Sequence, residues 1–148
     1  LIYGAGGSAR AIASALLSNG VKEVGITNRT RSKAQIISEN LGAKVSVVDW
    51  RAAPDTITKV DIIINATSMG MVGQPDFSQP ISRAKKTALV VDIVYNPLIT
   101  GLIKEAKKLK LKTVGGIGML INQAVPGFEH WFQKKPQIDN EIRRFIVE

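Results

Sequence analysis

The chain has 148 residues, no cysteine, one histidine, six prolines, 45% apolar residues and a formal net charge of +8. This composition describes a globular domain large enough to build its own core, and it excludes disordered, collagen-like and disulfide-stapled classes. Apolar runs fall far short of the ~20 residues of a membrane span, and without thiols the metal and nucleophile sites built on Cys and His lack raw material.

In chain order, Leu1-Ile2-Tyr3 reads as the end of a strand. Its shortness beside the usual ~5–6 residues leads us to expect a further segment upstream. A helix follows, with Ala9, Ile12, Ala13, Leu16 and Leu17 at spacings of three and four, and Asn19-Gly20 ends it. Val24 to Thr27 is a second strand, Ser32 to Leu41 a helix closed by Gly42, and Val45 to Val48 a third strand. Val60 to Ile64 and Ala88 to Asp92 are strands four and five, separated by a long loop from Asn65 to Pro80 that is a candidate functional loop. A helix over Leu98 to Lys110 and a strand over Leu111 to Val114 complete the alternation. Gly115, Gly116 and Gly118 then open a helix to Phe132 that Pro126 should kink or restart, and Pro136 precedes a last amphipathic helix, Ile138 to Val147.

Strands alternating with amphipathic helices predict an α/β fold of Rossmann type: a doubly wound, parallel, six-stranded sheet with helices on both faces and further helices at the C-terminus. Residues 1–134 read as the dinucleotide-binding domain and 135–148 as a C-terminal helix that packs toward another part of the protein.

Gly4-Ala5-Gly6-Gly7-Ser8-Ala9 follows a strand and opens a helix, which is the context that gives G-x-G-x-x-A its meaning. Gly4 allows the tight turn, Gly6 lets a pyrophosphate approach the backbone, and the small Ala9 lets helix and strand pack closely. At the end of strand two, where an NAD site offers a carboxylate to the ribose, stand Asn28-Arg29-Thr30. Arg29 can clamp a 2′-phosphate in a fork, Lys33 adds a point charge and Thr30 a hydroxyl, which points to NADP(H) over NAD. Cations at a helix start oppose its dipole and favour a nearby anion.

Three polar or glycine-rich clusters end strands four, five and six: Asn65 to Gly70, Asp92 to Pro97, and Gly115 to Gly118 ahead of Met119. All fall on the carboxyl edge of the sheet, where open α/β folds bind ligands. Asp61 and Asp92 read as strand-end residues, and His130 as a partly buried helix residue. The lysines 104, 107, 108, 110 and 112 form a solvated helix face behind Leu102, Ile103, Ala106 and Leu109, with no interleaved aromatics, so neither a nucleic-acid nor a membrane partner is expected.

These motifs together resemble the C-terminal NADP-binding domain of the shikimate dehydrogenases. The likeness rests on Gly4 to Ala9, Asn28-Arg29-Thr30 with Lys33, Asn65 to Met71, Asp92 with Tyr95 and Pro97, and Gly116 to Leu120 with Gln123. The resemblance implies NADPH-dependent reduction of 3-dehydroshikimate to shikimate, a step toward chorismate and the aromatic amino acids; the default compartment is cytoplasmic. It implies that Gly4, Ala5, Gly6, Gly7 and Ser8 hold the pyrophosphate and that Asn28, Arg29, Thr30 and Lys33 hold the 2′-phosphate. Thr67 and Ser68 would lie beside the cofactor, Ile93, Gly116 and Met119 would line the nicotinamide, and Tyr95 and Gln123 would reach the substrate. Gly115 and Lys33 depart from the family pattern, which often has Asp or Asn and Arg there. The family's catalytic Lys and Asp belong to an N-terminal substrate domain, so no catalytic residue is expected in this chain, which should hold NADPH without turnover. A second copy of the chain is a candidate partner. An NADP-sensing module without catalysis and a quinate-type dehydrogenase are the competing readings.

Overall fold

A computed structural model describes residues 1–147. The chain folds in the order β1 (Ile2–Tyr3), α1 (Gly7–Ser18), β2 (Val24–Thr27), α2 (Arg31–Leu41), β3 (Val45–Val48) and α3 (Ala53–Thr56). It continues through β4 (Ile62–Asn65), β5 (Leu89–Asp92), α4 (Gly101–Lys108), β6 (Lys112–Val114), α5 (Ile117–Phe132) and α6 (Asn140–Val147). The six strands form one sheet in the order β3-β2-β1-β4-β5-β6, and every pairing is parallel. The expected doubly wound sheet is therefore present. Its winding reverses between β1 and β4, the topological switch point at which such sheets open a ligand crevice.

Two apolar layers cover the sheet because alternate strand residues point to opposite faces. Ile2, Ile26 and Ile64 pack with Ala9 and Ala13 of α1 and Ala34 and Ile37 of α2. Tyr3, Ile63 and Val90 pack on the other face with Ile57 and with Leu102 and Ala106 of α4. Each fully buried aliphatic side chain contributes about 1.5–3 kcal/mol of transfer free energy, so the two layers carry most of the drive to fold. The small residues Ala9 and Ala13 are completely buried and bring α1 close enough to seat its N-terminus over the end of β1.

The structure corrects several expected boundaries. β4 starts at Ile62 and runs on to Asn65, which leaves Asp61 outside it and exposed. α4 starts at Gly101, because Thr100 caps it, and not at Leu98. α5 is a single element through Pro126, neither interrupted nor restarted there, and α6 begins at Asn140 and buries none of its residues. The one-turn helix α3 went unforeseen: four residues carry no measurable period. His130 is exposed, so it is not the partly buried residue expected. The lysines 104, 107, 108, 110 and 112 are all exposed, as expected of a solvated face.

Candidate functional site

The site begins with Gly4, whose backbone has φ +111, a value that L side chains rarely adopt. A Cβ there would also lie 2.7 Å from the carbonyl oxygen of Ala66, so sterics and conformation both demand glycine. Its N–H donates to the Thr27 carbonyl at 2.8 Å, which turns the chain across the end of β2. Gly6 is the N-cap of α1 and supplies no side-chain cap, and the first turn holds no acidic residue. Added side-chain atoms at Gly6 or Gly7 would meet nothing within 4 Å. The unsatisfied N–H groups of the first turn thus face open space at the positive end of a helix, which is what a diphosphate requires.

A cleft of about 160 Å³ opens at this point, lined by Gly4, Ala5, Gly6, Asn28, Arg29, Trp50, Ala66, Thr67, Ser68 and Met69. The ends of β1, β2, β3 and β4 thereby converge on one edge. Of the residues singled out from sequence, the cleft unites Gly4, Ala5 and Gly6 with Asn28, Arg29, Thr67 and Ser68. Thr30 and Lys33 lie outside its wall, Thr30 as N-cap of α2 and Lys33 in its first turn, both exposed. Neither a side-chain cap nor an acid neutralises that helix start. Among the described residues, Arg29, Arg31 and Lys33 form no ion pair; the two pairs present, Arg83 with Asp55 and Lys85 with Asp61, are elsewhere.

Hydrogen bonds divide these side chains by duty. The Asn28 amide donates to the Thr30 carbonyl at 2.9 Å and so builds the turn between β2 and α2, leaving one amide N–H and the oxygen for a ligand. The Thr67 hydroxyl donates to Asn65 Oδ1 at 2.6 Å and accepts from the Met69 N–H at 3.0 Å. Its proton is committed inside the turn, and its methyl faces Gly4. Ser68, exposed and free of such bonds, is the hydroxyl of the pair that can donate to a ligand.

The other two clusters join this edge through the backbone. A Cβ at Gly116 would overlap the Ile93 carbonyl and the Val94 carbonyl carbon, so glycine alone permits α5 to start against the loop after β5. Ile93, Val94 and Gly116 are therefore in close backbone contact. Met119 is half-buried on α5, whereas Tyr95 and Gln123 are exposed, and none of the three lines the cleft.

Sequence reasoning missed two features. Trp50, just past β3, forms part of the cleft wall and meets Tyr3 edge-on with ring centroids 5.8 Å apart. It sits at the carboxyl edge like the other cleft residues, so position was the available signal. Asp92 is completely buried, more than a strand-end residue. Burial pushes its carboxyl above the ordinary carboxylate range, against bonds from Thr100, Val94 and Asn65 that favour the ionised form. The signal lay in the register, since Asp92 stands directly beside Asn65 across β4 and β5.

A larger cavity of about 560 Å³ lies at the opposite, amino edge of the strands, between Leu16, Val24, Val48 and Ile62. It holds none of these groups.

Residues 1–118 match the family model of shikimate/quinate 5-dehydrogenases, and residues 116–140 match that of the shikimate 5′-dehydrogenase C-terminal domain. A shikimate dehydrogenase (NADP(+)) of Jannaschia sp. (strain CCS1) is 46% identical over 147 residues, which is 99% of this chain and 53% of that protein. Quinate dehydrogenase from Corynebacterium glutamicum, solved in complex with NAD, superposes with a TM-score of 0.90 at 32% identity, over 99% of this chain and 53% of that one. Shikimate 5-dehydrogenase from Thermus thermophilus, solved with NADP(H) and shikimate, gives 0.80 at 31% identity, over 92% and 49%. The chain thus spans about half the length of the relatives it matches. Fold, cleft and sequence agree that the chain belongs to the shikimate dehydrogenase family and corresponds to its NAD(P)-binding and C-terminal parts.

Proposed function

We propose that this chain is the NADP(H)-binding part of an enzyme that reduces 3-dehydroshikimate to shikimate, and that alone it holds the cofactor without turning substrate over. One observation carries the reading: the cleft at the switch point has Arg29 in its wall and no carboxylate among its lining residues. A carboxylate there would repel a 2′-phosphate, whereas a guanidinium can grip two of its oxygens at once. The α1 first turn and Gly4 to Ser8 would hold the pyrophosphate through backbone N–H groups, with the Ser8 side chain at the rim. Arg29, with Thr30, Lys33 and the second amide N–H of Asn28, would hold the 2′-phosphate end.

The reacting end of the cofactor would lie over β4 to β6, against Thr67, Ser68, the Ile93 backbone, Gly116 and Met119, with Tyr95 and Gln123 toward the substrate. NADPH supplies a hydride to a carbonyl carbon. The chain's own task there is to bind and orient, since a ketone also needs a proton donor at its oxygen and these residues offer no Lys and Asp pair for that work. Residues 1–134 form the binding domain in this reading, and the tail 135–148 packs toward the part of the enzyme that holds substrate. The aromatic surface of α5, with Trp131 77% and Phe132 59% exposed, suits such a neighbour.

Calorimetric titration with NADPH and, separately, NADH tests the reading, repeated on Arg29→Ala. Micromolar NADPH binding, with NADH weaker, should fall at least tenfold in the variant while NADH binding stays within twofold, because one good charge-assisted fork is worth about 1.5–3 kcal/mol. The likeness to a quinate dehydrogenase solved with NAD favours a second reading, an NAD-using quinate-type enzyme. NADH binding as tightly as NADPH, unaffected by Arg29→Ala, would favour that reading over ours.

A further inference from the structure

Asp92 accepts every hydrogen bond its carboxylate makes, and each comes from a different segment of the cleft edge. Oδ1 accepts from Asn65 Nδ2 at 2.9 Å and from the Val94 N–H at 3.0 Å. Oδ2 accepts from the Thr100 hydroxyl at 2.6 Å, and Thr100 Oγ1 in turn accepts the Ile103 N–H that opens α4. Asn65 spends its whole capacity: its amide also donates to the Met69 carbonyl, and its oxygen accepts from the Thr67 N–H and hydroxyl. Asn65, Asp92 and Thr100 are all essentially inaccessible to solvent. Every polar side-chain atom of this network has a partner, and in a low-dielectric interior the network fixes its members to one another more firmly than packing alone.

We propose that Asp92 is a positioning residue of the cleft, which locks the Thr67–Met69 turn, the Ile93–Val94 backbone and the start of α4 into one rigid edge. The proposal rests on the cofactor reading above and adds a division of labour to it. The sheet order puts Arg29 on the β2 side of the switch point and all of Asp92's partners on the β4–β5 side. Asp92 should therefore govern the reacting half of the dinucleotide and leave the adenosine half alone. Substitution by Asn keeps the volume and one acceptor oxygen, but its amide cannot accept the Thr100 hydroxyl, so the edge loosens without a cavity.

The test compares NADPH with adenosine 2′,5′-bisphosphate, which carries the adenosine phosphates and lacks the nicotinamide half. In Asp92→Asn, NADPH should bind about tenfold more weakly while the bisphosphate binds within twofold of wild type. Equal weakening of both ligands would overturn the proposal, since a merely structural role moves both, and so would no weakening of either. Wild-type chain that binds neither ligand would refute the cofactor reading and this proposal with it; that arm is read before any variant. Should Asp92→Asn fail to fold, native-state hydrogen exchange of the wild type decides. The amides of Thr67, Met69, Val94 and Ile103 should open together with one common protection factor, and unrelated protection at the four would overturn the proposal.

Discussion

Tyr3 stands one residue before the glycine turn with its ring fully buried, held edge-on between Trp50 and Phe77 at centroid distances of 5.8 and 5.1 Å. Such T-shaped pairs add about 0.5–1.5 kcal/mol each beyond burial, so the ring anchors β1 to the cleft wall and to the long loop after β4. Its hydroxyl, by contrast, has no hydrogen-bond partner among the described residues. Burial pushes the phenol up from 10.0 to about 12. A folded-state value above the unfolded one means that the native state favours the neutral phenol. Its contribution is intact below pH 10 and is lost as pH rises from there through about 12. Tyr3→Phe keeps the ring contacts and removes the unpaired hydroxyl. At neutral pH it should match or exceed wild-type stability by up to about 1 kcal/mol. Above pH 10 the variant should pull ahead, by on the order of 2 kcal/mol near pH 12. Urea unfolding of both proteins across that range measures the difference, in which other titrating groups cancel. A difference that stays flat through pH 12 would contradict the buried phenol.

Elements were legible in the sequence to the extent that their period was long enough to count. β2 and β3 fall where alternation puts them, and α1 ends at Ser18, capped by Asn19 and followed by Gly20 at φ +85. The start of α4 was misplaced because Leu98 and Ile99 continue an apolar pattern into a loop where both are exposed. What sets the true start is Thr100, whose side chain accepts the Ile103 N–H while donating to Asp92, and a buried acceptor brought from another strand leaves no local trace. The same reason hid Asp92. Cleft residues fared better, because the glycine turn and the ends of β2 and β4 are addresses that the parallel topology itself assigns. Trp50 held such an address and carried no motif. Thr100→Val should cost about 1–3 kcal/mol, since it removes the cap and leaves a buried carboxylate one donor short. Thr100→Ser keeps both bonds and should recover more than half of that loss. Equal destabilisation in the two variants would assign the effect to packing of the methyl group.

Taken whole, the molecule carries 20 basic and 12 acidic residues, and the question is which of the excess charges a bound anion feels. Arg29 stands in the cleft wall, and Arg31 and Lys33 follow it on the first turn of α2. At the neighbouring strand end stands an acid, Asp49, just past β3, whose carboxylate accepts the Arg51 N–H. Lys107 and Lys108 are exposed on α4, the helix that packs on β5 and β6 on the other side of the switch point. Screening separates the two sets, because the Debye length is ~10 Å at 0.1 M salt and ~3 Å at 1 M. A preference for NADPH over NADH that arises from cations in contact with the 2′-phosphate should persist at ~0.1 M and fade mainly toward ~1 M, where the Debye length shrinks to contact distance. A preference fed by the field of the whole basic surface should fade earlier, between ~0.01 and ~0.1 M, where the Debye length shrinks from ~30 to ~10 Å. We expect the first behaviour, with the ratio of the two dissociation constants changing less than twofold up to ~0.1 M and by roughly tenfold beyond it. Charge reversal of Lys107 and Lys108 to Glu should leave that ratio within twofold, and Arg31→Ala should lower it. Binding measured at the three salt concentrations for each protein decides between a local phosphate clamp and a diffuse basic field.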